Sequence, residues 1–130
     1  MQISAGVGAP VAAGERVASP GLLHKHYAPK AQVILWEGPV AAQISEILKR
    51  YDALLREGAR PIILWMGESP TDFEEREAWV PYQGAREYYG RLRQADDEGY
   101  SHVLLGGIHP ADAALYNRAL RSAGFNRVRV

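Results

Sequence analysis

The chain has 130 residues, 47% of them hydrophobic and 23% charged, with fifteen basic and fifteen acidic side chains. That is room for one domain whose folding buries roughly 70% of the unfolded surface, and the hydrophobic share excludes an intrinsically disordered chain. Zero formal net charge gives no overall pull toward nucleic acid or an anionic membrane, and the lack of cysteine excludes disulfides, thiol nucleophiles and thiolate metal centres.

Residues 1–18 are rich in Gly, Ala, Val and Pro with neither helical nor strand periodicity, which predicts a flexible N-terminal arm. They lack a basic start followed by an apolar core, so no signal peptide is read there. No apolar run approaches the ~20 residues of a membrane span. A cytoplasmic protein with no membrane partner is expected. Residues 19–31 follow, with Pro20 and Pro29 bracketing Gly21, and are expected to run extended as an interdomain-type linker.

The folded domain is expected over residues 32–130. Val33-Ile34-Leu35-Trp36-Glu37-Gly38 is a short apolar run closed by glycine, the pattern of a strand buried on both faces. A near copy, Ile62-Ile63-Leu64-Trp65-Met66-Gly67, comes about thirty residues later. Between them Val40, Ile44, Ile47, Leu48, Tyr51, Leu54 and Leu55 share one helical face, and Gly58 is placed to end that helix. Strand, helix and strand at this spacing make a right-handed βαβ unit. Ser69-Pro70-Thr71-Asp72 predicts a short helix with Ser69 as cap, Pro70 in its first position and Asp72 completing a capping box. A second helix places Ala85, Tyr88, Tyr89, Leu92 and Ala95 toward the core and ends near Gly99. Val103-Leu104-Leu105-Gly106-Gly107 is a third buried strand, followed by a helix over about residues 111–123 and an edge strand at Arg127-Val128-Arg129-Val130. The fold class is α/β, three layers around a mostly parallel, doubly wound sheet.

In such sheets ligands bind beyond the carboxyl ends of the strands. Those ends here carry Trp36, Glu37, Trp65, Gly67, Gly106 and Gly107. The two indoles either flank a planar ligand in a crevice or pack helices onto the sheet. No phosphate-binding fingerprint accompanies them: Gly6-Val7-Gly8 lacks a third glycine, and no Gly-Lys-Ser/Thr sequence occurs. His24 and His26 have the spacing of a metal pair, but a zinc centre needs at least a third protein ligand and none is near in sequence, so no metal is expected. No catalytic set stands out. Asp96-Asp97-Glu98 lie at the C-terminal end of the second helix, where negative charge costs about 0.3–1 kcal/mol through the helix dipole. Either Arg93 offsets that on a solvated face, or the acidic end meets a partner domain.

The most specific stretch is Ser19-Pro20-Gly21-Leu22-Leu23-His24-Lys25-His26-Tyr27-Ala28-Pro29. It resembles the interdomain linker of threonylcarbamoyl-AMP synthases, which joins a YrdC-type catalytic domain to a Rossmann-like C-terminal domain. Tyr88 to Asp96 is similar to the family helix that carries a leucine-arginine pair followed by aspartate, and Ala114 to Ala123 to its last helix, with Asn117-Arg118. The resemblance implies that residues from Ser19 onward form that linker and domain, the catalytic domain being supplied elsewhere, in trans. It implies a regulatory or gating role in forming threonylcarbamoyl-AMP for tRNA modification. ATP, with Mg, would be a substrate of the full-length enzyme, not a cofactor of this chain, and no direct nucleic-acid contact is expected. Ser19, Pro20, Gly21, Lys25, His26, Tyr27 and Pro29 would lie over the partner's active site. Without that site, the linker is expected to be disordered. The alternative is an independent nucleotide-binding module built on the crevice.

Overall fold

The computed structural model describes residues 28–124 and 126–130. The N-terminal arm and most of the linker lie outside these residues. The elements, in order, are β1 (Gln32–Glu37), α1 (Val40–Arg56), β2 (Pro61–Met66), a 3₁₀ turn (Thr71–Phe73), β3 (Trp79–Tyr82), α2 (Ala85–Asp97), β4 (His102–Gly106), α3 (Ala113–Ser122) and β5 (Arg127–Arg129). The five strands form one sheet in the order β3-β2-β4-β1-β5, and every pairing is parallel.

Parallel pairing follows from the sequence pattern. Ile34, Leu35, Ile63, Leu64, Leu104 and Leu105 are fully buried, as they must be in strands covered on both faces. The crossover through α1 runs from β1 toward β2, whereas those through α2 and α3 run the opposite way across the sheet. Right-handed connections therefore put α1 on one face and α2 with α3 on the other. Both α1 and α2 end where glycine was expected to stop them. Gly58 and Gly99 adopt φ of +84° and +81°. Ala59 N donates to Leu54 O and Gly58 N to Leu55 O, with Tyr100 N to Ala95 O and Gly99 N to Asp96 O repeating the pattern, so each helix ends in a Schellman motif.

Three expectations need correction. Val40 and Leu55 are 56% and 50% exposed, so the buried stripe of α1 is narrower than its apolar pattern and centres on Ile47, Tyr51 and Leu54. The segment after β2 holds only a 3₁₀ turn with Pro70 as its extended N-cap and no side-chain cap bond, and the Ser69 hydroxyl is buried without a hydrogen-bond partner among the described residues. Finally, β3 has no counterpart in the sequence reading. It is four residues long and contains Pro81, which an edge strand tolerates because its outer side forms no ladder.

Candidate functional site

The carboxyl edge of the sheet has its topological switch between β1 and β4, neighbours whose following helices lie on opposite faces. Side chains of the protein itself fill this position. Gln43, on the first turns of α1 and only 3% exposed, donates from Nε2 to Gly38 O at 2.8 Å, and its Oε1 accepts from Gly107 N at 2.9 Å. One amide side chain thus ties the loop after β1 to the loop after β4.

Trp65 packs directly over the end of β4, with which it is in register at Gly106. A Cβ on Gly106 would come within 2.6 Å of Ile47 Cδ1 and 2.7 Å of the Trp65 ring, and one on Gly107 within 2.8 Å of both Met66 O and the ring. The two glycines are small because the indole lies on them. Phe73 meets Trp65 edge-on at 5.4 Å, leaving Trp65 4% exposed. Trp36 is 2% exposed, with the Arg50 guanidinium 5.6 Å from its ring centre. Both indoles belong to the core, and neither presents an open face to a ligand. Gly67 turns the chain out of β2 with φ +94°, its N–H donating to Tyr82 O at 2.8 Å.

Glu37 stands at the end of β1 and holds the last strand. Its Oε2 accepts from the Tyr116 hydroxyl at 2.9 Å and lies 3.5 Å from Arg127, while Oε1 lies 3.7 Å from Arg129. Val130 N closes the same corner on Glu37 O at 2.9 Å. The carboxylate is a structural clamp across β1, α3 and β5.

The amino edge is built differently. Lys30 N donates to Asp96 Oδ2 at 2.9 Å and Ala31 N to Asp96 Oδ1 at 3.0 Å, so the acidic end of α2 grips the chain just before β1. Gln32 N then continues to Ser101 O at 2.9 Å. Arg60 reinforces this corner: Nη1 donates to Glu98 O at 2.8 Å, the guanidinium stacks 4.6 Å from the Tyr100 ring, and its backbone N–H donates to Ser101 Oγ at 2.8 Å. A cation on the last carbonyls of α2 is favourable with the helix dipole. The described histidines are held locally, His102 Nδ1 by Ser101 Oγ at 2.8 Å and His109 Nδ1 by Ala111 N at 3.0 Å.

On the α1 face, Arg76 binds Asp52 through Nε and Nη2, at 3.2 and 2.6 Å, which raises the guanidinium pKa and pins the β2–β3 connection. Beside it an open depression of about 430 Å³ is lined by Tyr51, Leu55, Glu75 and Glu77. Among the described residues no His, Asp and Glu cluster could hold a metal ion, and no helix is long and apolar enough to cross a membrane. Pro29 is half-buried near the start of the described chain, while Ser19, Pro20, Gly21, Lys25, His26 and Tyr27 lie outside the described residues.

The roles of two residues that organise these edges were not read from the sequence: Gln43 was not singled out, and Asp96 was noted only as a charge at a helix end. Gln43 had a signal: it lies three residues after Val40 and four before Ile47, a polar residue on an apolar stripe. Asp96 also had one, being an unfavourable charge at a helix end within a motif shared with a known family.

Comparison with known proteins settles which family. The sequence profile described as threonylcarbamoyl-AMP synthase, C-terminal domain, matches residues 2–124. The chain belongs to this family. The threonylcarbamoyl-AMP synthase of Pyrococcus abyssi is 27% identical over 117 residues, covering 86% of this chain and 34% of that protein. The chain thus spans about a third of the length of this curated relative. The crystal structure of P. abyssi Sua5 complexed with L-threonine superposes with a TM-score of 0.68 at 25% identity, over 81% of this chain and 32% of that one. A second P. abyssi Sua5 structure, with an adjacent histidine and tyrosine both replaced by alanine, gives 0.65 at 25% identity over 78% and 30%. The α/β fold read from the strand and helix pattern is that of the C-terminal domain of these synthases.

Proposed function

We propose that the chain is a non-catalytic regulatory domain that steers a linker across the active site of a YrdC-type catalytic domain lying outside these 130 residues. The observation that carries this reading is the placement of the linker's inner end: Lys30 and Ala31 are bonded to the folded domain, so the domain holds one end of the segment preceding them. The physical need is clear from the product. A carbamate–phosphate mixed anhydride hydrolyses readily, and a segment that closes over the site excludes water while it forms.

Within the linker, Ser19, Pro20 and Gly21 would set its path. Lys25 and His26 would supply charge or a donor near phosphate, and Tyr27 a ring with a hydroxyl. His26-Tyr27 is the one adjacent His-Tyr pair in the sequence, and the replacement of such a pair in a solved P. abyssi protein supports attention to it. ATP, threonine and bicarbonate would bind the catalytic domain, in the cytoplasm, with no tRNA contact by this chain.

The test is reconstitution. Adding the chain to an isolated YrdC-type catalytic domain should change pyrophosphate release severalfold and yield a complex on size exclusion, and His26→Ala with Tyr27→Ala should abolish the kinetic effect while the complex persists. Unchanged turnover together with no complex would sink the proposal. The alternative, an independent nucleotide-binding module, has less support because Gln43 and Trp65 fill the switch position where a nucleotide would sit. Tryptophan fluorescence titrated with ATP, GTP and AMP is expected to stay flat; a saturable change would favour the module.

A further inference from the structure

We infer that Asp96 is the positioning residue that fixes where, and in which direction, the linker leaves the domain. This rests on the linker reading above, but its test does not. The two carboxylate oxygens take the N–H groups of consecutive residues, Lys30 at 2.9 Å and Ala31 at 3.0 Å, across 66 and 65 positions of sequence. Two parallel bonds to one planar group fix orientation as well as position, which a single bond does not. The preceding residue, Pro29, has no N–H and a locked φ, so Lys30 is the first donor available after the linker's last proline.

The base of this clamp is stiff. Asp96 lies in the last turn of α2, whose terminus is closed by Gly99 and Tyr100 and bound by Arg60, itself stacked on Tyr100 and bonded through its backbone to Ser101. Ser101 O in turn receives Gln32 N, the first rung of β1. A pull on the linker is therefore delivered to the end of α2 and the amino edge of the sheet. A carboxylate at a helix C-terminus is electrostatically misplaced unless it has such donors, so the charge is explained by the chain it holds. Asparagine cannot replace it: one of its two terminal atoms is a donor, which would face a backbone N–H.

The experiment is amide hydrogen exchange on the full chain. In the unsubstituted protein Lys30 and Ala31 should be protected, and Asp96→Asn should speed their exchange about tenfold or more while Ile34 and Leu104, inside the sheet, stay unchanged as internal controls. A role confined to α2 would leave Lys30 and Ala31 protected, and that result overturns the inference. Should Asp96→Asn perturb the sheet amides as well, Lys30→Pro removes one donor from the linker side with α2 untouched. Exposure of Ala31 in that variant supports the clamp, and continued protection overturns it. Exchange that responds as expected in a chain that leaves a YrdC-type domain's turnover unaltered would retain the anchor and reject the regulatory reading.

Discussion

The two edges of the sheet have opposite constructions. At the carboxyl edge, where α/β sheets usually bind ligands, the protein closes on itself: Gln43 joins two loops, Trp65 lies on Gly106 and Gly107, and Glu37 fastens β5. At the amino edge, the polar groups face the segment just before β1, with Asp96 receiving Lys30 and Ala31. The contacts of the first edge are internal to the fold. Those of the second hold Lys30 and Ala31, the two residues that lead into β1. One edge joins parts of the fold to each other and the other holds the residues that lead into β1, so substitutions at the two edges should fail in different ways.

The largest effect is expected at Trp65. Replacing it by alanine removes the ring packed on Gly106, Gly107 and Phe73 and should cost about 3–5 kcal/mol. Urea unfolding followed through circular dichroism checks this, and a loss under about 1 kcal/mol would show that the indole is not part of the core. Gln43→Leu keeps the volume but leaves Gly107 N–H and Gly38 O without their partner, and should cost about 1–3 kcal/mol in the same measurement. If that variant instead gained nucleotide affinity, the closed edge would be a blocked binding site and the comparison would need redrawing.

Much of this fold was legible in the sequence because buried parallel strands must be continuous apolar runs and helices between them must carry an apolar stripe. Val33 to Trp36, Ile62 to Trp65 and Val103 to Leu105 announce themselves that way, as do the stop signals Gly58 and Gly99. Trp79 to Tyr82 does not: four residues interrupted by Pro81 look like a loop, and only pairing with β2 makes them a strand. The sites were less legible for a related reason. The functions of Gln43 and Asp96 consist of bonds to backbone atoms up to 66 positions away, and no local pattern records such a partner. The tryptophans at the strand ends had two consistent readings in sequence, and burial decides for the core.

A third effect appears only at high pH. Tyr82 ends β3 beneath α2, its hydroxyl buried with no hydrogen-bond partner among the described residues, and burial pushes its pKa well above the usual tyrosine value, with the charges of Tyr88 and Asp112 adding to the rise. Burial raises Tyr88 likewise. The folded state therefore keeps these protons when the unfolded chain begins to lose them near pH 10. Stability is unaffected by them below that pH and falls as pH climbs above it, by up to about 1.4 kcal/mol per unit for each group. Tyr82→Phe should change stability by under about 1 kcal/mol at pH 7 and flatten the alkaline decline in urea midpoints between pH 10 and 11. Identical slopes for the two proteins would contradict the assigned shift.

The smallest effect on global stability is expected at the amino edge. Asp96→Asn forfeits a charge-assisted bond to a backbone N–H, worth about 1.5–3 kcal/mol when fully formed, but Lys30, one of the two residues it holds, is exposed and its N–H can turn to water. The same change relieves about 0.3–1 kcal/mol of repulsion between the carboxylate and the helix C-terminus. The two contributions oppose each other, so the net change in urea unfolding should stay within about 1 kcal/mol, well below Trp65→Ala. A loss as large as that of Trp65→Ala would make Asp96 a foundation of the fold, erasing the difference between the edges. A small loss, with the amides of Lys30 and Ala31 newly exchanging, would show that this edge spends its polar groups on directing a chain, where the other spends them on closing the domain.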